Sequence, residues 1–456
     1  MFVSCGGVVA FARAFSWTAV SGVDAQWENN RAAGFCCDRK RVHVPPASGV
    51  DQRGRSGSGL IRRRNRQSCP VQRRRRGLLR MQGVGAVQAE KMDNARGKKC
   101  VFVTGATGFI GLNLCRRLVL GPNSGSGDSP AQGDRVDYEV HVLVRRVPVQ
   151  GELAKLADAS SSSSLVVHQG DVTDLASIEA ALQAASVTEW ACVFHVAGMI
   201  AYSAKFRAQM EAINVEGTRN VCTAMRTHAP HARLVYVSSV TAVGANKRPS
   251  DPPLNEDAPW DQALGDSVGY MYTKRLAEQV VVSEFSELNS VVLCPSNVYG
   301  AGDASKSSRK TQLKAARGEW PLYTNGGVSL VDIQAMVEVL ITCMDPHRGR
   351  QGERYIISGD NVRIYDMLRM YSECGTGSKQ KAPWLLLPNW ALWLLCLLGE
   401  KTGSSSFTLE RATVSTLYHW FDNAKAKAEL GLRVKPAHEC IQESVNWMRE
   451  TGLLDK

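Results

Sequence analysis

The stretch 101-VFVTGATGFIG-111 decides how this chain is read. Val101, Phe102 and Val103 are β-prone and apolar throughout, the composition of a central parallel strand covered on both faces. Gly105, Gly108 and Gly111 then recur at every third position. In a strand-to-helix turn of this kind the first glycine permits the tight reversal, and the second lets the main chain approach a pyrophosphate. The third lets the helix pack against the strand. The phosphate would rest on N–H groups at the helix start, where the helix dipole also favours negative charge. Ile110, Leu114 and Leu118 follow on one helical face, so the triplet stands between a strand and an amphipathic helix rather than in a flexible turn.

Working outward, residues 121–134 are rich in turn formers and poor in apolar residues, and are expected to be an exposed insertion. A second strand, 139–145, ends where such a sheet reads the adenosine ribose of a dinucleotide. A carboxylate there bonds the 2′-hydroxyl, whereas arginine suits a 2′-phosphate. Arg145 and Arg146 occupy the place, so NADP is expected ahead of NAD; the alternative is a solvated strand end. A serine-rich link, Ser160 to Ser164, leads to a third strand, after which Asp171 and Val172 are expected at the adenine edge. The fourth strand, Trp190 to Val196, runs into His195-Val-Ala-Gly198, where small residues such as Ala197 allow close backbone approach to a cofactor. His195 itself is expected to be packed and hydrogen-bonded rather than a catalytic base. A long helical pattern over 206–229 and a strand over 234–239 follow. This alternation predicts right-handed βαβ crossovers: an α/β chain with a Rossmann doubly wound parallel sheet.

The chemical signal is Ser239 at one strand's end, with Tyr270 and Lys274 about thirty residues later. Tyr270 and Lys274 are four apart in a helical stretch and so project from one face. A phenol with a pKa near 10 is a poor acid–base catalyst at neutral pH, but an adjacent ammonium, helped by a cationic nicotinamide, stabilises the phenolate and lowers that pKa. Tyr270 is then able to exchange a proton with a substrate oxygen that Ser239 holds by hydrogen bond, while hydride moves to or from a nicotinamide. Tyr272 faces elsewhere on the helix and is given no role.

These residues resemble the extended short-chain dehydrogenase/reductases of the NAD-dependent epimerase/dehydratase superfamily. The resemblance is carried by TGATGFIG (Thr104 to Gly111), HVAG (His195 to Gly198), NVEGT (Asn214 to Thr218) and YVSSVTAVG (Tyr236 to Gly244). Tyr270 with Lys274 and CPSNVYGAGD (Cys294 to Asp303) complete it. It implies Ser239, Tyr270 and Lys274 as the catalytic set, with Lys274 also bonding the nicotinamide ribose. The expected cofactor contacts are Gly105, Gly108, Phe109, Ile110, Gly111, Arg145, Asp171, Val172, Ala197, Lys274 and Pro295. TKRLAEQ after Tyr270 and FDNAKAKAELGL (Phe421 to Leu432) look most like the dihydroflavonol reductase, 3β-hydroxysteroid dehydrogenase and hopanoid-associated reductase branch. Cys294 departs from the arginine that many sugar-nucleotide epimerases carry before the proline.

Charge divides the chain. Of 55 Lys plus Arg and 43 Asp plus Glu, residues 1–97 hold 18 and 6, which leaves 37 of each sign in the rest. The basic excess therefore belongs to an Arg-rich, acid-poor leader and not to a globular nucleic-acid-binding surface, and no nucleic-acid partner is expected. Its composition is that of an organellar transit peptide, a plastid expected first and a mitochondrion second; a retained basic tail is the alternative. Thirteen cysteines occur without a CxxC pair or a Cys/His metal spacing, so no metal is expected. The expected parts are this leader, a nucleotide-binding domain over 98–300 and a substrate-binding region over 301–456. Within the last, 384–399 is uncharged and contains Pro388, which leaves a helix too short to span a bilayer core. Three roles are open to it: an apolar lid, an interfacial anchor giving peripheral membrane contact, or ordinary core. The function expected is NADP-linked interconversion of a secondary alcohol and a ketone on an apolar small molecule of terpenoid, sterol or flavonoid type. A nucleotide-sugar epimerase or dehydratase and a non-catalytic nucleotide-binding scaffold are the alternatives, and the oligomeric state is left open.

Overall fold

The computed structural model describes residues 99–121, 138–159, 165–183, 189–302, 309–377, 381–404 and 407–454, all within one compact unit. The leader, most of the 121–134 insertion and the serine link 160–164 lie outside the described residues.

Seven parallel strands form the main sheet. In chain order they are β1 (Lys99–Thr104), β2 (Tyr138–Val144), β3 (Leu165–Gln169), β4 (Trp190–His195), β5 (Arg233–Val237) and β6 (Ser290–Pro295). After β7 (Asn297–Tyr299), β8 (Leu322–Tyr323) and β9 (Gly327–Asp332) comes the seventh, β10 (Arg354–Ile357). The spatial order is β10-β6-β5-β4-β1-β2-β3. The chain builds outward from β1 through β2 to β3, then returns to lay β4 on the other side of β1. Such a reversal leaves a crevice beyond the carboxyl ends of β1 and β4, where open α/β sheets bind ligands.

Both faces of the sheet are covered, which is why its strands carry unbroken apolar runs. Val101, Val103, Val140, Val142 and Phe194 point to one side, against helix α1 (Phe109–Leu120) and the helix Ile333–Thr342. Phe102, Leu143, Val193, Leu234 and Tyr236 point to the other, against Leu175–Gln183, α2 (Gly217–His228) and α3 (Gly269–Gln279).

The boundary expected at residue 300 does not divide this sheet. β10 completes it beside β6, and Val331, Ile333, Met336 and Leu340 share one core with Val101 and Val103. Without β10 the outer edge of β6 would present unpaired backbone groups, so a strand from beyond residue 300 belongs to the nucleotide-binding half. The remaining C-terminal residues build a second sheet, ordered β11-β9-β7 with β11 at Asp360–Arg363, which packs on the helix Ala437–Glu450. They also form two helices, α4 (Asn389–Lys401) and α5 (Leu409–Thr416).

Candidate active site

The three glycines of the opening stretch do different work. Gly105 has φ +74°, and a Cβ there would lie 2.7 Å from the Ala197 nitrogen, so β1 and β4 close over it. A Cβ on Gly111 would lie 2.3 Å from the Gly105 carbonyl oxygen, which fixes this glycine by helix-to-strand packing. Gly108 is exposed and would meet only the Gly105 oxygen, at 3.3 Å. It begins α1 with no capping side chain and no acidic residue in the first turn, and Phe109 and Ile110 follow it half-buried. An open helix start beside a topological switch point fits a dinucleotide pyrophosphate.

The other expected cofactor contacts lie along the same edge. Arg145 and Arg146 are exposed immediately after β2. Asp171 and Val172 follow β3, but the Asp171 carboxylate accepts from the backbone and hydroxyl of Thr173 at 3.0 and 2.9 Å, and so caps its own turn. Val172 is buried, with its carbonyl held by Asn220 at 3.0 Å. The Ala197 N–H donates to Thr104 Oγ1 at 3.2 Å. Pro295 closes β6 and is buried.

Ser239, Tyr270 and Lys274 converge at the end of β5. Ser239 stands two residues beyond β5 in extended backbone, where its hydroxyl accepts from Thr241 N–H at 3.3 Å and bonds the Tyr270 phenol. Tyr270 and Lys274 occupy successive turns of α3, and Lys274 Nζ donates to the Val237 carbonyl at 3.0 Å. Only 5% of Tyr270 and 4% of Lys274 is exposed. That burial governs their protonation. It raises the Tyr270 pKa, with Tyr202 adding to the effect and the Ser239 bond opposing it. It lowers the Lys274 ammonium to about 8, against the opposing pull of the Glu278 carboxylate. Burial, with Tyr202 beside it, therefore favours the protonated phenol, and it is a cationic nicotinamide that the expectation asks to help Lys274 draw the proton away.

His195 is fully buried between two threonines, 2.8 Å from Thr104 Oγ1 and 2.9 Å from Thr218 Oγ1. Burial, with Lys274 nearby, pushes its pKa down to about 3. A neutral imidazole then bridges the threonines and ties β1, β4 and α2 together.

Two residues of the site were given no role from the sequence. Asn214 lies in a π-helical turn, Glu211–Glu216, inside the expected long helix. Its side chain accepts from Met199 N–H at 2.7 Å and donates to the Met199 carbonyl at 2.9 Å and to Thr273 at 3.1 Å, which locks the 196–203 loop to α3. Glu278 continues the Tyr270 and Lys274 stripe by one more turn. It accepts from Ser238 at 2.5 Å and from Cys294 at 3.2 Å, and Arg354 on β10 pairs with it at 2.9 Å. The i, i+4, i+8 spacing was a signal for Glu278; nothing local announced the π-turn.

Above Tyr270 the C-terminal region closes the site. The Tyr202 ring stands edge-on to Tyr270 at 5.9 Å, and the Thr408 hydroxyl at the start of α5 donates to the Tyr202 carbonyl. Helix α4 packs on α5 through Leu392, Cys396 and Ala412. The core role open to 384–399 is not what is seen, because Trp390, Trp393 and Leu398 remain 72%, 42% and 50% exposed. No helix among the described residues is long and apolar enough to cross a membrane. A cavity of about 610 Å³, lined by Arg233, Asn289 and Arg350, opens at the strand starts and holds none of these residues.

The family model for the NAD dependent epimerase/dehydratase family matches residues 101–358, from β1 past the end of β10. The chain belongs to this family. As an NAD(P)-dependent extended short-chain dehydrogenase/reductase it is 27% identical over 366 residues to sterol demethylase protein B of Methylococcus capsulatus, covering 77% of this chain and 99% of that one. It is 26% identical over 401 residues to human short-chain dehydrogenase/reductase family 42E member 1, covering 79% and 90%. Among solved structures, dTDP-glucose 4,6-dehydratase from Bacillus anthracis str. Ames in complex with NAD shares the fold at a TM-score of 0.58 and 15% identity. That match covers 78% of this chain and 98% of that one.

Proposed function

We propose that this enzyme is an NADP-linked oxidoreductase that interconverts a ketone and a secondary alcohol on an apolar small molecule of sterol, terpenoid or flavonoid type. The observation that carries the reading is the joining of a buried Ser239–Tyr270–Lys274 set, through Tyr202, Thr408 and Ala412, to a helix whose outer face is tryptophan and leucine. A nicotinamide bound along the edge from Gly108 to Lys274 would supply hydride or accept it. Ser239 would hold the substrate oxygen, and Tyr270, protonated in its buried setting, would deliver a proton to that oxygen as a carbonyl is reduced. Lys274, anchored on the Val237 carbonyl, would position the ribose and restore the phenol's proton. Arg145 and Arg146 would grip a 2′-phosphate, which supports NADP.

Helix α4 would lie in one leaflet of a membrane, an apolar cylinder of about 20 Å at the usual helical rise. Residues 1–97 would address the chain to a plastid, their acid-poor, arginine-rich composition being the support. A fluorescent fusion of that leader confined to the cytosol would overturn the address.

Mass spectrometry of the gently purified protein tests the reaction class. NADP(H) together with an apolar alcohol or ketone that the enzyme turns over is the expected result. A retained NAD with a sugar nucleotide that is epimerised without net oxidation would replace this reading with the epimerase or dehydratase alternative. Nucleotide binding without turnover of any carbonyl or alcohol would favour a scaffold.

A further inference from the structure

Away from Tyr270, along the first residues of β1 and the first half of β2 and reaching the fourth residue of β3, four side chains with metal-ligating atoms gather on one face. Cys100 and Glu139 are direct cross-strand partners, and His141 follows Glu139 on the same side of β2. The ligand atoms of Cys100, Glu139 and His141 all lie within 4.8 Å of one another. His141 is buried to 1% exposure, with one ring nitrogen 2.9 Å from the Glu139 carboxylate and the other 2.9 Å from His168 Nε2. His168, on β3, stacks on His141 at 5.1 Å, and Trp190 closes edge-on at 4.8 Å.

We propose that Cys100, Glu139 and His141 form a structural site for one zinc-class divalent cation, with His168 as the partner that orients His141. The donor set decides the class of ion. One thiolate, one imidazole and one carboxylate suit zinc and its neighbours, whereas calcium and magnesium require oxygen ligands throughout. Bonds of 2.0 to 2.3 Å in a tetrahedron space the ligand atoms by about 3.5 Å. The cluster therefore needs to contract by about an ångström, which the Glu139 side chain, 21% exposed, supplies by turning inward as it releases His141. On binding, the Cys100 thiol loses its proton to solvent and Glu139 exchanges its hydrogen bond with His141 for a bond to the ion. His141 coordinates through Nε2, releasing to solvent the proton it donates there to Glu139 and taking one up on Nδ1; it donates this to His168 Nε2, with His168 holding its own proton on Nδ1, the outer-shell arrangement usual for a ligating imidazole. Water fills the fourth position from the open side. Cys100 lies about 15 Å along β1 from the glycine turn at the strand's rise per residue, so the ion would clamp the first two strands and take no part in catalysis.

Cobalt is the probe. The full-length protein, stripped with a chelator, is titrated with Co²⁺ and then with Zn²⁺. One equivalent of Co²⁺ should give a thiolate-to-metal charge-transfer band, and Zn²⁺ should displace it and raise the thermal midpoint. Cys100→Ser should abolish the band and weaken Zn²⁺ at least a hundredfold, Glu139→Gln at least tenfold, and His168→Asn about tenfold. NADP affinity should be unchanged in all three. A band that survives Cys100→Ser, a parent protein with no band, or Zn²⁺ affinity equal in parent and variants would overturn the proposal and leave the cluster as a hydrogen-bonded histidine chain. None of these outcomes bears on the reaction at Tyr270.

Discussion

Helices α3 and α4 invert each other. In α3 a phenol, an ammonium and a carboxylate, Tyr270, Lys274 and Glu278, are almost wholly covered; in α4 the tryptophans and leucines that water solvates worst lie open. The covered polar stripe survives because each group has a partner: Ser239 for Tyr270, the Val237 carbonyl for Lys274, and Ser238 and Arg354 for Glu278. The open apolar stripe has no such partner on its outer face among the described residues. Burial of chemistry and exposure of grease are both departures from the usual rule, and each points outward, the first to a reaction and the second to an apolar surface or ligand.

The largest effect expected is on the stripe that does the chemistry. Tyr270→Phe keeps the ring and its packing against Tyr202 while removing the proton. Turnover should fall by at least about a hundredfold with nucleotide affinity nearly unchanged. Near-normal turnover on a verified substrate would show that the buried phenol is structural and that the contrast between the helices concerns packing alone.

Next comes the carboxylate beneath it. As pH rises through about 8 the buried Lys274 loses its proton, so kcat/KM, which reports the free enzyme, should decline on the alkaline side. The Glu278 carboxylate favours the ammonium, and Glu278→Gln should move that alkaline limb to lower pH. Because the folded Lys274 lies below its ordinary 10.5, the unfolded chain binds more protons between about 8 and 10.5. This group's contribution to stability therefore rises with pH across that window. An alkaline limb that stays in place in the variant, with kcat lowered uniformly, would reduce Glu278 to a packing partner of Arg354.

Arg145→Ala should weaken NADP(H) by about tenfold or more while leaving NAD(H) within about twofold, as expected when one charge-assisted contact to a 2′-phosphate is lost. Isothermal titration with both nucleotides measures the split. Equal losses would mark Arg145 as a solvated strand end.

How far the chain announced these features follows from the range of the interactions behind them. The glycine turn, the strand-to-helix alternation and the Tyr270–Lys274 spacing are set by neighbours within a turn or two, and they appear in the order written. β10 could not be assigned to the main sheet from sequence, because its only claim to that place is the vacant edge of β6, which exists only after folding. The π-turn at Asn214 is likewise selected by the Met199 backbone it reaches, not by its own neighbours. Cys100, Glu139, His141 and His168 show no metal spacing along the chain, since three parallel strands bring them together across insertions of unrelated length. The upward push on the Tyr270 pKa is hidden for a related reason: spacing reveals the ammonium one turn away but not the water removed from around the phenol.

The smallest effect on the fold, and the sharpest test of the open helix, is Trp393→Ser with Leu397→Ser. Both side chains are about two-fifths exposed, and α4 is held to α5 through Leu392 and Cys396 instead. Substituting them should change stability by no more than about 0.5 kcal/mol per site, the range for surface positions away from packed features. The apolar area they offer to a ligand or to lipid would still be lost, at about 25 cal/mol per Å². Flotation with phosphatidylcholine vesicles should therefore fall and the KM for an apolar substrate rise, with kcat and NADP affinity steady. A variant that melts many degrees lower while the parent shows no vesicle binding would mean that α4 is held by more than Leu392 and Cys396. The exposure of its tryptophans would then lose its functional meaning.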